Sequence, residues 1–163
     1  MNGRLLLQLA VALGLTLASI LAIAAAVRAD AEGIEVQEPF ARASIGQATS
    51  GVVYLRLVNH AATPDRLTGA TTAAAARADL HVTEEDGGVV KMRRLDSLEI
   101  AAGGEYAFEP GGAHIMLTGL TAPLPEGEHF LLTLQFDTAG EVTIKVPVRS
   151  IAAGADGGGH DTH

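Results

Sequence analysis

The chain has 163 residues, with 11 Lys and Arg against 19 Asp and Glu for a formal charge of −8, and it contains no cysteine. That length supports one domain with a hydrophobic core and leaves little for a second. The charge disfavours nucleic acid and anionic lipid as partners, and the missing thiol excludes disulfides, Cys-linked lipid and thiolate nucleophiles or metal ligands.

From Leu5 to Val27 there is no charged residue, and Leu, Ala, Ile and Val dominate behind a single Arg4. Such a run is an export segment, with two readings open. Val27-Arg28-Ala29 ahead of Asp30 offers a small-residue cleavage site, which makes residues 1–29 a signal peptide. Alternatively the run, about 34 Å long as a helix, is retained as a membrane anchor through residues 5–27. In either case the domain that follows is expected outside the cytoplasm.

Beyond residue 30, helical periodicity is absent and short alternating runs dominate. Gly33 to Gln37 alternates, Gly51 to Asn59 is a strand by its β-branched content, and Arg66 to Ala70 is another. The alanines from Ala73 to Ala76 favour helix, but four residues are too few to hold one. Asp79 to Leu95 alternates on both sides of Glu85-Asp86-Gly87-Gly88, which predicts a hairpin. A turn centred on Asp86-Gly87 would seat His81 directly opposite Met92, with Cβ atoms about 5 Å apart.

Leu98 to Ile100 and Tyr106 to Phe108 continue the rhythm, and Pro110-Gly111-Gly112 closes a loop. The strand from Ala113 to Thr118 sends Ala113, Ile115 and Leu117 to one face and His114 and Met116 to the other, about 6 to 7 Å apart. The apolar set is the natural core face, so the His and Met are expected to face outward. Phe130 to Phe136 and Val142 to Val148 are the last strands. Many short strands between Gly and Pro turns predict an all-β antiparallel sandwich or barrel of Greek-key type. The tail, residues 151–163, is Gly-rich and polar, with the composition of a flexible segment.

His81, Met92, His114 and Met116 are the candidate metal ligands. Beyond Met1 the chain has only two methionines, and each pairs in this pattern with a histidine. Two imidazoles and two thioethers form a soft, neutral set suited to Cu(I); zinc favours Cys, His or carboxylate, calcium favours oxygen, and a blue-copper centre needs a Cys. His60 and His129 stand at strand ends and read as structural. No nucleophile and base occur at a recognisable spacing, and a Cu(I) fully ligated by protein has no open position for substrate, so no enzyme is expected.

The pattern of His, ten residues, Met, twenty-one residues, His, one residue, Met, formed by His81, Met92, His114 and Met116, resembles the signature of the PCu(A)C-type (DUF461) periplasmic copper chaperones. The resemblance extends through Phe40-Ala41-Arg42, Tyr54 to Leu57, Leu98 to Gly104, Pro110 to Leu117 and Val146 to Arg149. It implies a cupredoxin-like copper-binding domain over residues 32–150, in the periplasm. It also implies capture of Cu(I) and its transfer, alongside Sco-type chaperones, toward the dinuclear copper centre of cytochrome c oxidase subunit II. Some members carry Met after the first His, where this chain has Val82. Some hold Cu(II) on a His- or Met-rich C-terminal extension, of which His160 and His163 are a short version and a candidate secondary metal site. The alternatives are a periplasmic copper buffer or resistance protein and a metal-free interaction domain of the envelope.

Overall fold

A computed structural model describes residues 33–153, and among them all regular secondary structure is strand. The export segment, His160 and His163 lie outside the described residues. The ten strands are β1 (Ile34–Arg42), β2 (Ser50–Asn59), β3 (Asp65–Thr71), β4 (Ala75–Asp86), β5 (Val89–Arg94), β6 (Leu98–Ile100), β7 (Glu105–Phe108), β8 (Ala113–Leu120), β9 (His129–Phe136) and β10 (Glu141–Arg149). The alanine run therefore enters β4, where Ala75 pairs with Leu120 and Arg77 with Thr118, so non-local pairing overrides local propensity.

The sheet order is β5-β4-β8-β2-β1-β10-β9-β3-β6, with β7 also on β2. A further pairing of β3 with β4, at Ala70 and Ala78, closes seven of these strands into a barrel. All pairs are antiparallel except β1 with β10. The all-β, cupredoxin-like expectation holds, with closure into a barrel as the observed form. Closure leaves β5 outside the ring, paired only with β4 and so an edge.

Alternation places the core. In β10 every second residue, Val142, Ile144, Val146 and Val148, is buried while its neighbours are exposed. The same rule buries Ala113, Ile115 and Leu117 of β8, Leu132 and Leu134 of β9, and Leu55 and Leu57 of β2. Each such Val, Leu or Ile side chain contributes about 1.5–3 kcal/mol when removed from water. One irregularity redirects a strand: β1 bulges between Gln37 and Phe40, with Glu38 at φ 50°. The bulge turns Phe40 to the outer face, where its ring lies 5.2 Å from that of Tyr54. Arg149 stacks over Phe40 at 4.8 Å and Arg42 over Tyr54 at 5.4 Å.

Candidate metal centre

β4 and β8 run side by side with His81 directly opposite His114 and Asp79 opposite Met116. Side chains two apart on a strand share a face, so Asp79, His81, His114 and Met116 all project from the outer face of the barrel. The two imidazole rings stand 5.9 Å apart, centre to centre. An ion held about 2 Å from one nitrogen of each ring would separate the ring centres by about 5–6 Å, so the pair fits one shared ion.

The hairpin corrects one expectation. The two-residue turn is Gly87-Gly88, with φ of 60° and 80°, not Asp86-Gly87. Two consecutive positive φ values suit two glycines better than Asp-Gly, because only glycine adopts them without a steric cost. Moving the turn by one residue moves the register by two, so His81 faces Arg94 and Met92 faces Thr83. A shift of two preserves the face: Met92 still projects on the side of His81, one step along the edge strand rather than opposite it.

Exposure departs further from expectation. His114 and Met116 do lie on the face opposite Ile115 and Leu117, but His114 is only 5% exposed and Met116 is half-buried. β8 lies between β4 and β2, so neighbours cover both of its flanks. Met92, on the free edge, is 56% exposed. The candidate set therefore runs from a buried nitrogen on a central strand to an open sulfur on an edge strand.

Hydrogen bonding separates the two imidazoles. His114 Nδ1 lies 3.2 Å from the Gly112 carbonyl, which can only accept, so the proton is on Nδ1 and Nε2 is free to ligate. Burial lowers the His114 pKa from its ordinary value, with the nearby His81 adding to the effect and the Gly112 bond opposing it. The ring is thereby held neutral, the form a metal requires. His81 Nδ1 is buried and has no hydrogen-bond partner. An unpaired buried ring nitrogen is costly, and a ligated ion would satisfy it.

Among the described residues no three His, Cys, Asp or Glu side chains group closely enough to hold a metal. Two imidazoles with two thioethers on one face are donor types that suit a soft metal such as copper. The other histidines are elsewhere. His60 Nε2 lies 2.8 Å from Glu35 and His129 is exposed opposite Pro147.

No local pattern in the sequence singles out Asp79 or Arg94. Arg94, opposite His81, reaches across β4 to place Nη2 3.2 Å from Asp79 Oδ1, and Arg77 Nε lies 4.0 Å from Oδ2. The Asp79 side chain is 18% exposed. Alternation placed Asp79 on this face, but Arg94 could be found only once the turn was assigned to Gly87-Gly88.

Comparisons with known proteins agree with this geometry. A family model described as putative lipoprotein LpqE-like matches residues 34–148. A putative lipoprotein, Lxx21020, from Leifsonia xyli subsp. xyli (strain CTCB07) is 32% identical over 123 residues, 75% of this chain and 73% of that protein. Among solved structures, the copper-bound PCuAC domain from PmoF2 is 30% identical with a TM-score of 0.63, covering 72% of this chain and 93% of that one. The Cu(I) form of DR1885 from Deinococcus radiodurans is 29% identical with a TM-score of 0.57, covering 77% and 86%. The word lipoprotein describes that relative and the family model; the sequence here contains no Cys.

Proposed function

The chain belongs to the LpqE-like family and has the fold of PCuAC domains, and on that premise we propose that it is a periplasmic metallochaperone for Cu(I), its cargo held by His81, Met92, His114 and Met116. The observation that supports this reading most directly is the cross-strand imidazole pair at 5.9 Å, with an unpartnered His81 Nδ1 and two thioethers on the same face. Likeness to copper-bound and Cu(I)-bound relatives adds weight. The activity is binding and transfer, with no chemistry on a substrate.

The gradient of exposure provides an order for transfer. His114, at 5% exposure, anchors the ion from inside the sheet, while Met92, at 56% on the free edge, is the ligand an approaching partner reaches first. Displacing Met92 before the imidazoles gives stepwise exchange without release of free copper. The proposed recipients are a Sco-type chaperone and cytochrome c oxidase subunit II, and His160 and His163 are a proposed secondary site for Cu(II). Residues 5–27 deliver the domain to the periplasm, as a cleaved signal or a retained anchor.

Titration with Cu(I) against a competing chelator tests the site. One tight equivalent is expected, weakened about tenfold or more by Met116→Leu with folding stability changed by less than about 1.5 kcal/mol. Unchanged affinity would overturn the assignment. Mixing the Cu(I)-loaded protein with the apo oxidase copper domain tests delivery, and copper that stays on the chaperone argues for buffering.

A further inference from the structure

Among the charged side chains on the face of the proposed ligands, two flank His81 directly without belonging to the set. Asp79 lies two residues before His81 on β4 and opposite Met116 on β8, and Arg94 lies opposite His81 on β5, two residues after Met92. They meet diagonally across His81, with Arg94 Nη2 3.2 Å from Asp79 Oδ1. Asp79 is mostly covered at 18% exposure, whereas Arg94 is 66% exposed. Neither carries copper: a guanidinium has no lone pair to offer, and Asp79 forms no metal-holding group with His81 and His114.

We propose that the Asp79–Arg94 pair tunes which oxidation state of copper the site holds, its two charges offsetting each other beside a neutral ligand set. The inference rests on the Cu(I) reading above and extends it to residues outside the ligand set. With the charges of Asp79 and Arg94 offsetting each other, the ion meets two imidazoles, two thioethers and no uncompensated carboxylate, and the exposed Arg77 adds a cation nearby, an environment that favours the smaller ionic charge. Removing the Arg94 charge would leave Asp79 with Arg77 alone and make the local charge one unit more negative, beside Met116 and His81. Coulomb energy scales with the charge of the ion, and the change would favour Cu(II) twice as strongly in free energy as Cu(I). Arg77, 4.0 Å from Asp79 and 69% exposed, stays in place in every variant below and drops out of the differences.

For a partly solvated unit charge at this range the change in Cu(I) affinity is about threefold, and doubling the ionic charge squares it to about tenfold for Cu(II). The experiment measures Cu(I) and Cu(II) affinities and the Cu(II)/Cu(I) midpoint potential of the full-length protein and four variants. Arg94→Gln is expected to tighten Cu(I) about threefold and Cu(II) about tenfold, lowering the potential by about 30 mV at 59 mV per tenfold. Asp79→Asn should do the reverse. The double variant Asp79→Asn/Arg94→Gln, with the wild-type charge sum restored, should return to the wild-type potential, and Arg94→Lys should leave it unchanged. A merely structural pair would give weaker binding in every variant and no recovery in the double. Equal changes for the two ions, no recovery, or an Arg94→Lys that behaves like Arg94→Gln would overturn this inference and leave the Cu(I) site intact. A wild-type protein that binds no Cu(I) would remove the premise, and the inference with it.

Discussion

Two buried polar regions of the barrel differ in how their hydrogen bonds are closed. At one, Asn59, 1% exposed at the end of β2, donates from Nδ2 to the carbonyls of Thr63, Ile100 and Ala101, and its Oδ1 accepts from the Ala61 N–H. Asp65 at the start of β3 accepts from the backbone N–H groups of Arg66, Thr138 and Ala139. At the other, on β4 and β8, His81 Nδ1 has no partner and two imidazoles face each other across strands. A buried polar group whose bonds are all made holds the fold together. One left open beside a second ligand holds a place for something else.

The largest effect expected on this contrast is at the open end. His81→Leu should lower Cu(I) affinity by at least about a hundredfold while leaving the metal-free stability unchanged or slightly raised, since it removes an unsatisfied nitrogen. A loss of stability in chemical denaturation would place His81 with the structural group and break the distinction. At the closed end the outcome inverts. Asn59→Ala should cost about 2–4 kcal/mol of unfolding free energy, with Cu(I) affinity retained, because the Ala61 N–H and the carbonyls of Thr63, Ile100 and Ala101 each lose a hydrogen bond. The Ala101 carbonyl keeps another, from the Gly104 N–H.

A smaller effect sharpens the gradient within the site. Met92→Leu should weaken Cu(I) by about tenfold and speed its release to a chelator in stopped-flow, with no measurable change in melting, because the side chain is solvated on an edge strand. If Met92→Leu slows release instead, the exchange order proposed above is reversed.

The smallest is a pH effect at Asp65. Burial pushes its pKa up, but the backbone N–H groups of Thr138, Ala139 and Arg66 outweigh that and hold it below the ordinary 3.8. A depressed folded-state pKa means the unfolded chain takes up the proton first as pH falls. Its stabilising contribution is therefore whole above about pH 4 and shrinks as pH drops below 3.8 toward the folded value. Denaturant midpoints between pH 5 and pH 3 should show this decline in the wild type and a shallower one in Asp65→Asn.

Much of the site could be read in advance because strand geometry is local. The parity that sends His114 and Met116 away from Ile115 and Leu117 depends only on alternation, and the observed β8 keeps it. The hairpin was legible too, but its register depended on which two of four turn residues take positive φ, and two glycines in sequence decided that in favour of Gly87-Gly88. Arg94 was hidden by the same single-residue difference. The burial of His114 had no local signal, since it follows from the neighbours β8 acquires.

What the sequence alone determined was the set of strands, the face each candidate ligand takes and the soft character of those donors, because each follows from residue type and a period of two. Only the tertiary structure decided that β8 inserts between β4 and β2, setting His81 against His114, covering His114 and leaving Met92 at an edge. The physical reason is that pairing between strands distant in sequence is chosen by how the whole core closes, through many small packing energies summed around the barrel.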